Sequence, residues 1–210
     1  MTRITCIQFG TLRCGKMIDV ICLNGPPGSG KDFIGEMLYK TYPLGCELLK
    51  FAAPIEDIAK AILGYDDDLF QLQREQYKDE MLPGLNFTMR ELMIDISENF
   101  IKPKFGQHHF GKLAAIAIDQ KLNLTSRTMI FTDSGFQAEF DTMQELLNDD
   151  YYNLHLVNIF REGKNFDNDS REYVTNKKGK TIRFDNNVDK SDFVNFVENS
   201  KNLMIDLGLI

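Results

Sequence analysis

One stretch constrains this chain more than any other: "IDVICLNGPPGSGKDF", residues 18–33. Ile18 to Asn24 is a short apolar run closed by Gly25 and Pro26, which suits a strand buried in a parallel sheet. Gly25, Gly30 and Lys31 then fit G-x-x-x-x-G-K. "KDFIGEMLYKTY" follows, with Phe33, Ile34, Met37 and Leu38 at helical spacing. Strand, glycine loop, lysine and helix in that order form a phosphate cradle. The loop glycines let backbone N–H groups turn inward, the helix adds its positive N-terminal end, and the lysine reaches the outer phosphates. Gly25, Pro26, Pro27, Gly28, Ser29, Gly30, Lys31 and Asp32 are the residues of that cradle.

Asp32 stands where such loops normally carry Ser or Thr. A carboxylate is a hard oxygen donor that suits Mg²⁺, directly or through water. It also suits the first turn of a helix, so both roles are open. The change speaks against switch GTPases and motor ATPases, in which the hydroxyl has a dedicated role.

Further strands are expected over "CELLKF" (46–51), "RTMIFTD" (127–133), "LHLVNIF" (154–160) and "KTIRF" (180–184). Helices are expected between them: one opened by Pro54, one capped by the T-x-x-E pair Thr88 and Glu91, then "HHFGKLAAIAIDQKL" and "FQAEFDTMQELL". An amphipathic helix closes the chain. Strands alternating with helices predict an α/β fold with a mostly parallel sheet. The span 64–112 is too long for one crossover helix and reads as a helical insertion that holds a second substrate.

A net charge of −7 disfavours general nucleic-acid binding. No apolar run reaches the roughly 18–20 residues of a membrane helix. Cys6, Cys14, Cys22 and Cys46 form no C-x-x-C pair and read as reduced thiols of a cytoplasmic protein. Residues 1–16 carry Arg3, Arg13 and Lys16 but no acid, and are expected as a flexible extension outside the fold.

Other groups point to charge handling. The segment 161–183 holds seven basic residues (Arg161, Lys164, Arg171, Lys177, Lys178, Lys180, Arg183) against four acidic ones. It is either a lid closing over phosphates, with Arg161 and Arg171 the strongest candidates, or a solvated basic hairpin. Asp133 ends a strand, where parallel sheets face their ligand crevice. It suits Mg²⁺ held through water, a substrate hydroxyl, or a helix cap. Arg90 lies in the first turn of a capped helix, where a cation is unfavourable, so it either meets an anionic substrate or pairs with an acid. Lys78 and Lys102 are open in the same way. The acidic run Asp66 to Asp68 reads as the start of a solvated helix.

Taken in order, "GPPGSGKD", "FAAPI" (51–55), "TMRELMIDISENFIKPKFG" (88–106), "FTDSGFQAE" (131–139) and "REGKNFDNDSREY" (161–173) resemble the deoxynucleoside monophosphate kinases of tailed phages. The resemblance spans about residues 17–200. It implies a single P-loop kinase domain over 17–210 with a three-layer core, a helical NMP-binding insertion (about 64–125) and a small lid (about 161–183). It implies transfer of the ATP γ-phosphoryl group to a deoxynucleoside monophosphate, with Mg²⁺, in a cytoplasm that is the host's if the source is viral. ATP and the monophosphate are then the partners, with no nucleic acid and no membrane, and a homodimer stays open. Gly25 to Asp32 would hold ATP. Phe51, Lys78, Arg90 and Lys102 would lie on the acceptor side and Asp133 at the crevice. Lys31, Arg161 and Arg171 would carry catalysis, and Asp32 and Asp133 the metal. One departure is that "DSGF" (133–136) stands where an Arg-containing "DVRF"-like segment is common, so another residue, Arg127 or Arg90, is expected to replace that Arg. Kinases of the dephospho-CoA or phosphomevalonate type, and an ATP-binding regulatory protein without transferase activity, are the alternatives.

Overall fold

A computed structural model describes residues 17–41, 45–122, 127–147, 149–167, 169–187 and 193–208. The expected extension over 1–16, with Cys6 and Cys14, lies outside the described residues. Five strands form one sheet: β1 (Ile18–Asn24), β2 (Cys46–Leu49), β3 (Thr128–Ser134), β4 (Tyr152–Phe160) and β5 (Thr181–Asp185). Their order is β2-β3-β1-β4-β5, and every pairing is parallel. The fold is therefore α/β, with a sheet that is wholly parallel among the described strands.

Side chains alternate across each strand, so the sheet faces two cores. Val20, Cys22, Met129, Phe131 and Leu156 point to one core. There they meet helices α2 (Ala53–Leu63), α6 (His109–Lys121) and α7 (Gln137–Leu146) through Ile55, Ala59, Ala114, Ile118, Phe140 and Met143. Ile21, Leu23, Ile130, Val157 and Ile159 point to the other. There α1 (Lys31–Thr41) and α8 (Phe193–Asp206) cover the sheet with Ile34, Leu38, Leu203 and Met204. Gly111 lets α6 rest on the backbone of α7, because a Cβ there would collide with the Glu139 carbonyl.

Between α2 and α6 the chain forms α3 (Asp67–Gln76), α4 (Met89–Ile94) and α5 (Lys102–Phe105). Asp66 caps α3 by accepting from the Leu69 N–H at 2.9 Å, as the acidic run suggested. Thr88 and Glu91 close the capping box at the start of α4. One helix from Thr88 onward is the simple expectation; instead Asp95–Ile101 winds as a π-helix between α4 and α5. Pro103 supplies the physical reason. It has no N–H, and its ring would press on the carbonyl four residues back in an α-helix. A widened turn relieves that clash.

The order of the strands places the site. The chain leaves β1 for β2 and β3 on one side, then crosses to β4 and β5 on the other. The carboxyl ends of β3, β1 and β4 therefore border a crevice at the point where the order reverses. Between Phe131 and Ser134, β3 gains one residue on β1, whose matching positions are Cys22 and Asn24. The bulge falls where Asp133 stands.

Candidate active site

The loop from Gly25 to Gly30 joins β1 to α1 at that crevice. Gly28 and Gly30 have φ of 76° and 97°, conformations that cost other residues strain. Lys31 is buried, and its Nζ donates to the carbonyls of Gly25 (2.6 Å) and Pro26 (3.0 Å). The ammonium is thus stored on the loop it is expected to serve. Burial first, and then the Arg171 charge, bring its pKa down to about 8, against the opposing pull of Asp32, Asp133 and Asp169.

Arg171 is the second cation of the site. Its Nε and Nη2 donate to the two oxygens of Asp169, at 2.8 and 2.6 Å. Those bonds hold the Asp169 carboxyl below its usual range and the guanidinium above its own. Arg90, exposed on α4, is near enough to Asp169 to reinforce that effect. Arg161 sits at the end of β4, with Nη1 3.4 Å from the Gly28 carbonyl. Lys164 also lies against Gly28, where a built Cβ would be 3.2 Å from its Cε.

The remaining cations of 161–183 are not gathered here. Lys177 pairs with Asp141, and Arg183 pairs with Asp185 while covering the Phe160 ring at 3.8 Å. The chain from Glu172 to Asn176 is fastened across the strand ends. Glu172 N donates to the Gly135 carbonyl, Val174 N to Asn24 Oδ1, and Thr175 N to Gln137 Oε1. Asn24 Nδ2 returns bonds to the Ser134 and Glu172 carbonyls. Asn186 closes the opposite wall, donating to the Ser29 carbonyl at 2.7 Å.

On the far side, Asp133 accepts from the backbone N–H groups of Phe51 (2.8 Å) and Ala52 (2.9 Å). It therefore anchors the start of α2 to the sheet. Burial raises its pKa, and those two bonds oppose the rise. Phe51 is buried against Phe131. Lys102 is buried, bonded to Glu98 at 2.5 Å and lying 3.9 Å above the Phe136 ring. Beside it, burial pushes the Glu139 carboxyl up to about 8, with Lys102 opposing and Asp133 adding to the rise. Lys78 is exposed, and its carbonyl accepts from the Arg90 N–H.

Arg127 requires a correction. It lies just before β3, and its carbonyl accepts from Asp19 N near the start of β1. That is the amino end of the sheet, with the length of β3 between it and Asp133. It does not reach the crevice, so it cannot stand in for an arginine at 135.

Sequence reasoning did not single out Asn24, Asp169, Lys164, Asn186 or Glu139. Asn24 left a signal, since it is a polar residue ending an apolar strand just before the loop. Asp169 left none.

Mg²⁺ fits the donor set in a limited way. Among the described residues no group of three or more His, Cys, Asp or Glu could hold a metal. Asp32 is exposed in the first turn of α1, close enough to Lys31 to affect its titration. One carboxylate plus substrate phosphates and waters is how Mg²⁺ is commonly held.

No protein-family description matches this chain, and no curated protein matches it. Solved structures do. A sugar kinase from Janibacter sp. aligns with a TM-score of 0.48 at 12% identity, over 92% of this chain and 96% of that one. A gluconokinase from Sinorhizobium meliloti aligns with a TM-score of 0.41 at 11% identity, over 91% and 97%. Neither likeness bears on what this chain acts on. No helix among the described residues is long and apolar enough to cross a membrane.

Proposed function

We propose that this chain is a kinase that moves the γ-phosphoryl group of ATP to a deoxynucleoside monophosphate. The observation that carries the reading is the loop itself: Gly28 and Gly30, at φ of 76° and 97°, turn the chain onto the N-terminal end of α1, and the buried Lys31 lies on the loop carbonyls of Gly25 and Pro26, in a crevice at the carboxyl ends of parallel strands. A cation and a helix N-terminus on one glycine loop suit a phosphate chain, and a triphosphate is the anion proposed.

Entering phosphates would take Lys31 from the Gly25 and Pro26 carbonyls. The N–H groups of the loop and of the first turn of α1 would hold the oxygens around it. Arg161 and Arg171 would face the transferring group from the β4 side. Arg90 would face the acceptor phosphate, and Phe51 would wall the acceptor side. Mg²⁺, when bound, would supply charge neutralisation on the donor oxygens, with Asp32 its nearest protein ligand and Asp133 reached through water. The acceptor is already an oxyanion, so the residues need only align and neutralise two phosphates. Lys102 and Lys78 would act at a distance: Lys102 by fixing the π-helix against Phe136, Lys78 by holding the Arg90 backbone.

The test is ADP release with ATP, Mg²⁺ and a panel of deoxynucleoside monophosphates, nucleoside monophosphates, dephospho-CoA and phosphomevalonate. Release that needs a deoxynucleoside monophosphate, and that falls by orders of magnitude in Lys31→Ala, supports the reading. Release with only another acceptor moves the chain to that class. Release with no acceptor at all, or near-normal turnover in Lys31→Ala, refutes it.

A further inference from the structure

Gly135 has no conformational reason to be glycine. Its φ lies outside the left-handed region, unlike those of Gly28 and Gly30. Its reason is space. A Cβ at 135 would stand 2.6 Å from Cδ, 2.7 Å from Cγ and 2.9 Å from Cβ of Arg171. Carbon atoms do not approach so closely, so any side chain at 135 displaces the stem of Arg171. The stem is held from its other sides as well. Arg171 N donates to Asp169 Oδ1 at 3.0 Å, and Glu172 N donates to the Gly135 carbonyl at 3.1 Å. Two residues further on, Asn24 fastens Val174.

We propose that Gly135 and Asp169 are positioning residues for Arg171. Gly135 clears the floor on which the stem lies. Asp169 holds the guanidinium by two bonds until phosphate oxygens compete for it. The cation is therefore in place before substrate arrives and is not delivered by loop closure. The inference rests on the kinase reading for its effect on turnover, but not for its effect on anion binding.

Two measurements separate the two. The first is calorimetric binding of inorganic tripolyphosphate to the whole chain, which needs no turnover. Gly135→Ala and Arg171→Ala should weaken it by the same factor, about tenfold or more, and the double variant should be no weaker than Arg171→Ala alone. The second is kcat with ATP and the best acceptor. Gly135→Ala should lower it ~10²-fold, the scale for losing one charge-stabilising donor, with KM for ATP moving far less. Asp169→Asn keeps the shape, is expected to fold, and should lower kcat in the same direction. Melting temperatures of the variants close to the parent's separate this coupling from a loss of fold.

Additive losses in tripolyphosphate binding, or a Gly135→Ala variant that binds it like the parent, overturn the proposal. So does a parent that does not bind tripolyphosphate. A parent that binds it with the expected coupling but transfers no phosphoryl group overturns the kinase reading and leaves the positioning intact.

Discussion

Asn24→Ala should both destabilise the chain and release the segment that carries Arg171. Asn24 is fully buried and makes three hydrogen bonds: Nδ2 to the carbonyls of Ser134 (2.9 Å) and Glu172 (3.0 Å), and Oδ1 from the N–H of Val174 (2.9 Å). Each is worth about 1 kcal/mol net, so the direct loss is about 3 kcal/mol. Groups left dry and unpaired would add to that. If instead the 172–174 segment peels into water, the partners are rehydrated and the loss stays near ~3 kcal/mol. Against a total stability of roughly 5–15 kcal/mol the variant should still fold. Urea unfolding at pH 7 reads the global term. Native-state amide exchange reads the local one: the Val174 amide should lose its protection while those of Ile130 and Val157 in the central strands keep theirs. Asn24→Asp is the control for volume. It keeps the acceptor for Val174 but turns an anionic oxygen toward two carbonyls, so it should be no more stable than the alanine variant. A loss below about 1 kcal/mol with Val174 still protected would refute the account of Asn24 as the clasp of this segment.

Other consequences are as direct. Nucleotide binding should take up protons near pH 8, because Lys31 titrates at about 8 when free and an anion raises its pKa; affinity should be flat below that pH and fall above it. Calorimetry in two buffers of different ionisation enthalpy measures the uptake, and Lys31→Met should abolish it. Glu139 keeps its proton up to about pH 8 in the folded chain, against 4.5 unfolded, so its contribution to stability is present below pH 4.5 and is lost as pH rises to about 8. Glu139→Gln should remove that decline, on the order of a few kcal/mol, and denaturant curves at pH 5 and pH 8.5 check it. Gly111→Ala should cost roughly 1–3 kcal/mol, because α6 must lift from the Glu139 backbone; an unchanged melting temperature would contradict the close approach.

What the sequence shows and what it hides divide along one physical line. The glycine loop between β1 and α1, the five strands, the Thr88–Glu91 box and the Asp66 cap are local. Each is decided by residues a few positions apart, and each lies where the residues predict. Contacts between distant segments are hidden. Asp133 reads as a metal ligand, a substrate ligand or a helix cap; its oxygens accept from the backbone N–H groups of Phe51 and Ala52, at the start of a helix distant in sequence that nothing at 133 points to. Lys102 reads as a cation that either meets substrate or pairs with an acid, and it is buried on Glu98 and over Phe136. The π-helix has no mark in the apolar pattern, which reads as one continuous helix up to Pro103. The 161–183 segment reads as one basic stretch. In space it separates into Arg161, Lys164 and Arg171 at the loop, and Lys177 and Arg183 on acids of their own.

Gly135 shows why composition along a line misleads at such a site. Read alone, "DSGF" lacks the arginine that is common there in the kinases its sequence resembles. In the fold, Arg171 lies on the surface that a side chain at 135 would fill. The two features exclude each other sterically: with any side chain at 135, the Arg171 stem cannot keep this path, and with Arg171 on this path, 135 must be glycine. The absent arginine and the present one are therefore a single structural choice. Of the residues considered for the vacant role, Arg127 lies at the wrong end of β3, and Arg90 is exposed on α4 facing Asp169. Arg171, expected for catalysis and not for that role, combines a stem on Gly135, a guanidinium fixed by Asp169, and a charge felt by Lys31.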